Sequence, residues 1–178
     1  MLLERAKSLL LLVDMQERLV PAMAGAAEVT ANCGILLRAA QALGVPIMAS
    51  EQYPKGLGPT VRALADLAPR RLEKLEFSAY ANNVIRDELA RAGRPQVVLC
   101  GIEAHVCVLQ TGLELIEAGF RVCVAADAVA SRRPDSREVA LQRLGGAGAT
   151  LITAEMALFE WLRTASAPEF RAISQMIR

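Results

Sequence analysis

Three side chains that together make acyl-transfer chemistry possible, a thiol, a carboxylate and an amine, each stand at or after a short apolar run in this chain: Cys107, Asp14 and Lys74. A thiol attacks a carbonyl as its thiolate, so it needs a base to take its proton or a cation to favour the charged form. Cys107 lies in VVLCGIEAHVCVLQTGLELIEAG, which reads as a strand, a glycine turn and a helix beginning near His105 to Cys107. The sulfur then sits in the first turn of a helix. There the dipole and free backbone N–H groups lower a thiol's pKa and can receive a developing oxyanion. Asp14 directly follows Leu9–Val13, and a carboxylate at a strand tip must be solvated, paired or hydrogen-bonded. Taken alone it reads equally well as a helix cap. Lys74, in LEKLEFSAY, taken alone reads as a surface lysine; its place at a strand's carboxyl end before Ser78 gives it weight.

The neighbouring candidates are weaker. Cys33, Cys100 and Cys123 fall in a helix or in mid-strand and read as buried structural thiols. His105 is the single histidine, two residues before Cys107. Residues i and i+2 point in different directions, so it is expected to line the pocket or face a partner subunit and not to serve as base. The loop Glu51–Thr60, EQYPKGLGPT, is shaped by Pro54, Gly56, Gly58 and Pro59 and is placed for substrate selection. Asp127, at the end of a strand and near Ser131, reads as a structural bracket for adjoining loops.

The elements that must position these residues follow one repeating order. Short apolar runs at Ser8–Val13, Pro46–Ser50, Arg71–Leu75, Gln96–Gly101, Arg121–Ala126 and Thr150–Thr153 alternate with amphipathic segments. Those segments are Glu28–Leu43, Asn83–Ala92, Cys107–Ala118, Ser136–Leu144, Glu155–Leu162 and Pro168–Ile177, several ending at glycine. Strand, helix, glycine, strand is the pattern of right-handed crossovers, so we expect an α/β fold with a doubly wound, mostly parallel, six-stranded sheet. The whole chain, 1–178, reads as one domain. In such sheets the reactive groups gather beyond the carboxyl ends of the strands, which is where Asp14, Lys74 and Cys107 fall.

Composition excludes several classes. The net charge is +1 with both signs interspersed, and aromatic residues make up 4%, so neither a basic stripe nor a stacking surface for nucleic acid is expected. No apolar run reaches the roughly 18 residues a membrane span needs, and the N-terminal run reads as a first strand and not a signal peptide, so a cytoplasmic location is expected. One histidine and cysteines without C-x-x-C spacing argue against a zinc site, and neither metal nor cofactor is expected. A hydrophobic content of 53% is high for a chain of this size and points to a subunit interface in a homo-oligomer.

The motifs resemble a known superfamily. LLVDMQ, the K-x-x-FSA element at Lys74–Ala79, GIEAHVC with its helix, GF-x-V and DA-x-x-S are similar to those of the isochorismatase-like cysteine hydrolases, in the expected order from Leu9 to about Glu155. The EQYPKGLGPT loop and the tail containing Phe170 look closest to the isochorismatase domain-containing branch. The resemblance implies a three-layer α/β/α sandwich and a triad of Asp14, Lys74 and Cys107. The cysteine would form an acyl-enzyme thioester, with Asp14 taking its proton and later activating water, and Lys74 orienting Asp14. It also implies a cis peptide at Ile102–Glu103, an oxyanion hole from the N–H groups of Glu103 and Cys107, and dimers or larger assemblies. Gln52, Tyr53, Phe77, Ile102 and His105 are then expected to bind a small-molecule substrate. Nicotinamidases of this superfamily bind a metal through histidines that EQYPKGLGPT lacks. Isochorismatases proper can cleave a vinyl ether without a cysteine, whereas here Cys107 is present. The reading is a metal-independent hydrolase of a small amide or carbamoyl C–N bond. The alternatives are a vinyl ether hydrolase and a catalytically quiet interaction protein that keeps the fold.

Overall fold

Six strands form one sheet, all parallel, in the order β3-β2-β1-β4-β5-β6. The structure, a computed structural model, describes residues 1–177. The strands are β1 (Ser8–Val13), β2 (Ile47–Gln52), β3 (Arg71–Lys74), β4 (Gln96–Ile102), β5 (Arg121–Ala130) and β6 (Thr150–Ile152). The main helices are α1 (Ala26–Leu43), α4 (Asn83–Ala92), α5 (Leu109–Glu117), α6 (Pro134–Gly146), α7 (Ala154–Leu162) and α8 (Phe170–Gln175). Two one-turn helices, α2 (Pro54–Leu57) and α3 (Arg62–Ala65), break up the β2–β3 connection, the first of them inside the expected Glu51–Thr60 loop. Among the described residues no helix is long and apolar enough to cross a membrane.

The expected α/β/α layers are present. Every residue of β1 and of β4 is buried, as central parallel strands require. Alternate residues serve opposite faces. Leu10, Leu12, Val98, Cys100 and Ala125 pack on one side with Cys33, Leu36 and Leu37 of α1 and Leu158 and Trp161 of α7. Leu9, Leu11, Val97, Leu99 and Val124 pack on the other with Ile85 and Leu89 of α4, Leu115 of α5 and Leu144 of α6. Helix α4 shows why its ends are sharp: the Asn82 side chain accepts from Val84 N and Ile85 N, and Gly93 takes the left-handed conformation after it.

Strand order reverses between β1 and β4, and this topological switch point opens a crevice beyond their carboxyl ends. The two strands meet there without a side chain between them. Gly101, at φ +113°, lies so close to β1 that a Cβ on it would stand 2.1 Å from the Val13 carbonyl oxygen. Gly101→Ala is therefore expected to cost roughly 3 kcal/mol, read as a lowered urea midpoint with an unchanged m-value.

Strand β5 continues to Ala130, past the end expected at Ala126, with an irregularity against β4 between Leu99 and Gly101. Asp127 is thus inside a strand and not at its tip. Its Oδ1 accepts from Ala154 N at 2.8 Å and its carbonyl from Asn32 Nδ2 at 2.7 Å, which ties α7 and α1 to the sheet.

Candidate active site

Asp14 begins the segment that leaves β1, in the left-handed conformation at φ +49°, a backbone state uncommon outside glycine and asparagine-like residues. Its carboxylate is fully buried and accepts at both oxygens. Ser50 Oγ, from the β2 position paired with Val13, donates to Oδ1 at 2.7 Å, and Lys74 Nζ donates to Oδ2 at 2.7 Å. Lys74 ends β3, and its side chain is as buried as that of Asp14. The ammonium also donates to Gln52 Oε1 at 2.6 Å, to Phe77 O at 3.1 Å and to Glu76 O at 3.2 Å. A buried ion pair is tolerated only when such further bonds satisfy both partners. The turn after β3 is wrapped around the ammonium it serves.

Cys107 arrives from the other side of the switch point. The helix after β4 starts earlier than expected, at Ala104, as one turn of the wider π type (Ala104–Val108) that runs into α5. Cys107 is in this turn, 7% exposed, packed in the cluster with Val13, Ala79 and Val129. The Lys74 turn docks on the same helix: Ser78 Oγ donates to Glu114 Oε2 at 2.7 Å and Ala79 N to Thr111 Oγ1 at 2.8 Å. Asp14, Lys74 and Cys107 are therefore neighbours.

The thiol is not acidified. Burial first, and the Asp14 carboxylate with it, push the Cys107 pKa up to about 12, the Lys74 ammonium opposing them by less. Placement near a helix start suggests the opposite sign. Desolvation and the adjacent carboxylate outweigh the dipole, and the ammonium is already committed to four acceptors. At neutral pH the Cys107 thiol therefore holds its proton.

The other expected site residues divide. Tyr53, at φ +36°, and Phe77 are half-exposed on the rim. A cavity of about 340 Å³ opens beside Tyr53, lined also by Lys55, Glu73, Lys74, Leu75 and Asn82, so it touches Lys74 but not Cys107. The Gln52 side chain is spent within the protein, on Lys74 and on the Leu75 carbonyl. Ile102 has no exposed surface and packs on the face of the sheet opposite Cys107. It is core and not pocket wall, because the pleat of β4 sends it inward. The Ile102–Glu103 peptide is cis. The Glu103 carboxylate takes Arg132 Nε at 3.0 Å and Arg132 N at 3.2 Å. His105 Nδ1 lies 2.9 Å from Ser131 Oγ. Ser50 and Gln16, both buried at the site, carry no signal in the sequence beyond adjacency to the strand ends.

Residues 8–156 match the model of the isochorismatase domain. The chain belongs to the isochorismatase family. Isochorismatase domain-containing protein 2 of Danio rerio is 40% identical over 171 residues, covering 96% of this chain and 86% of that protein. Among solved structures, the MAR1 ribonuclease of Caenorhabditis elegans is 34% identical, with a TM-score of 0.94 over 99% of this chain and 92% of that one. YcaC of Pseudomonas aeruginosa, solved with hexane-2,5-diol and covalent acrylamide, is 26% identical, with a TM-score of 0.92 over 98% and 91% of the two chains. Membership in the isochorismatase family places this chain on a hydrolase fold, and the carboxyl ends of β1, β3 and β4 are where its candidate groups converge.

Proposed function

We propose that this protein is a metal-independent cysteine hydrolase of small amide or carbamoyl compounds, with Cys107 as nucleophile, Asp14 as base and Lys74 as their electrostatic partner. The observation that carries the reading is the convergence of these three side chains, with a buried ion pair beside the thiol. Cys107 Sγ attacks the carbonyl carbon as Asp14 takes the thiol proton. The carbonyl electrons move to oxygen, which the N–H groups of Glu103 and Cys107 receive. Collapse breaks the C–N bond, Asp14 returns its proton to the leaving nitrogen, and a thioester remains on Cys107. Water, deprotonated by Asp14, then attacks the thioester, releasing a carboxylic or carbamic acid and the thiol. Because the resting thiol holds its proton, Asp14 must act during attack and not before it. The covalent acrylamide in YcaC, an electrophile that adds nucleophiles at its alkene carbon, supports a nucleophilic side chain in a related fold.

A ribonuclease reading has the name of the worm relative in its favour. Phosphodiester cleavage calls for cations at the non-bridging oxygens. Here Lys74 is spent on internal acceptors and His105 is turned to Ser131, so the amide reading fits better. The rim side chains Tyr53, Leu75 and Phe77, all more than half exposed, fit a homo-oligomeric assembly. Incubation with a panel of small amides, carbamates and a short RNA tests the assignment. Release of amine or ammonia, with an acyl adduct on Cys107 by intact-mass measurement, is expected. Cleavage of RNA alone would sink the amide reading.

A further inference from the structure

The amide of Gln52 is divided between two tasks. Its Oε1 accepts from Lys74 Nζ at 2.6 Å, and its Nε2 donates to Leu75 O at 2.8 Å. Its backbone is clamped in turn by Gln16, whose Oε1 accepts from Gln52 N at 2.7 Å. Gln16 Nε2 donates to Gln52 O at 2.9 Å and to Gly58 O at 2.7 Å. Gln16 is fully buried two residues after Asp14. These bonds close a ring, from the Asp14 carboxylate through the Lys74 ammonium and the Gln52 amide to Gln16, and so back to the segment that carries Asp14.

Such a ring has a purpose that packing alone does not supply. Lysine presents a point charge on a flexible four-carbon stem, and its head can rotate between acceptors. A neutral amide oxygen holds that head firmly without competing for its charge, which a carboxylate in the same place would do. We propose that Gln52, itself held by Gln16, is a positioning residue that fixes the Lys74 ammonium against Asp14 and Cys107. This assignment rests on the Cys–Asp–Lys reading above. It takes Gln52 away from substrate contact.

The test uses the intact protein and no substrate. The rate of Cys107 alkylation by iodoacetamide at pH 9, assigned by peptide mass, is measured for the wild type, Gln52→Leu, Lys74→Met and the double variant. Gln52→Leu is expected to react roughly fivefold more slowly, as loss of a charge-assisted hydrogen bond lets the ammonium drift. Lys74→Met is expected to be slower still, and the double variant no slower than Lys74→Met, because Gln52 acts through Lys74. A loosened fold would expose the thiol and speed alkylation, so the direction of change separates positioning from mere destabilisation. An unchanged rate in Gln52→Leu, or a slowing that multiplies that of Lys74→Met, overturns the proposal. So does a crystal structure of Gln52→Leu with Nζ still seated on Asp14. Failure of the amide panel would remove the hydrolase reading and leave this measurement readable.

Discussion

Cys107→Ala is expected to reduce amide turnover by at least ~10³-fold while leaving the fold intact. The side chain is small, 7% exposed and contributes one sulfur to a large cluster that includes Val13, Ala79, Val108 and Val129, so its removal opens little space. The loss should appear in kcat, because no other thiol can substitute: Cys33, Cys100 and Cys123 are fully buried and all pack on the opposite face of the sheet. Steady-state kinetics with the best compound of the panel, beside a thermal melt, read both halves. Turnover that survives the substitution would shift the mechanism to one run by Asp14 alone, as in vinyl ether cleavage.

The second large effect separates reactivity from catalysis. Asp14→Asn is expected to abolish turnover by a similar factor yet make the Cys107 thiol more acidic. The sign follows from the causes of its raised pKa. Burial leads, the Asp14 charge and hydrogen bond add to it, and only Lys74 opposes. Removing the carboxylate deletes two raising influences and leaves the lowering one, so the thiol must move down from about 12. With a pKa of about 12 the wild type holds only about one thiolate in 10⁴ at pH 8, and its alkylation by iodoacetamide should climb through pH 10 without a plateau. Asp14→Asn should alkylate faster at every pH below that. Lys74→Met should do the reverse, and it also strands a buried carboxylate, at a cost of about 3–5 kcal/mol. A variant that is more reactive toward iodoacetamide and inert toward substrate would show that Asp14 is needed as a proton carrier. Slower alkylation in Asp14→Asn would contradict the electrostatic account.

Local sequence made much of this readable. Strand β1 coincides with Ser8–Val13 and helix α4 with Asn83–Ala92, because an all-apolar run and an Asn cap with a glycine stop are signals that act within a few residues. The placement of Asp14 and Cys107 at strand ends followed from the same periodicity. What the periodicity does not carry is which strands are neighbours, and the rest of the site depends on that. Ser50 is an ordinary serine in an apolar run until β2 is set beside β1, where it faces the Asp14 carboxylate. Ile102 looks like part of the GIEAHVC motif, yet the pleat of β4 turns it into the far core. The thiol's raised pKa is hidden from the sequence for a related reason: a helix start is visible there, whereas desolvation and a carboxylate brought from another strand are not.

The bare contact between Gly101 and Val13 has a bearing on how such a protein can change its substrate. Two backbones that touch directly act as a fixed gauge, and no choice of side chain can widen or narrow the gap they set between base and nucleophile. Variation in selectivity must then be written in the parts that hang from this gauge, the 51–60 loop and the 75–78 turn. Directed evolution toward new substrates should accumulate changes there and leave the paired strands untouched.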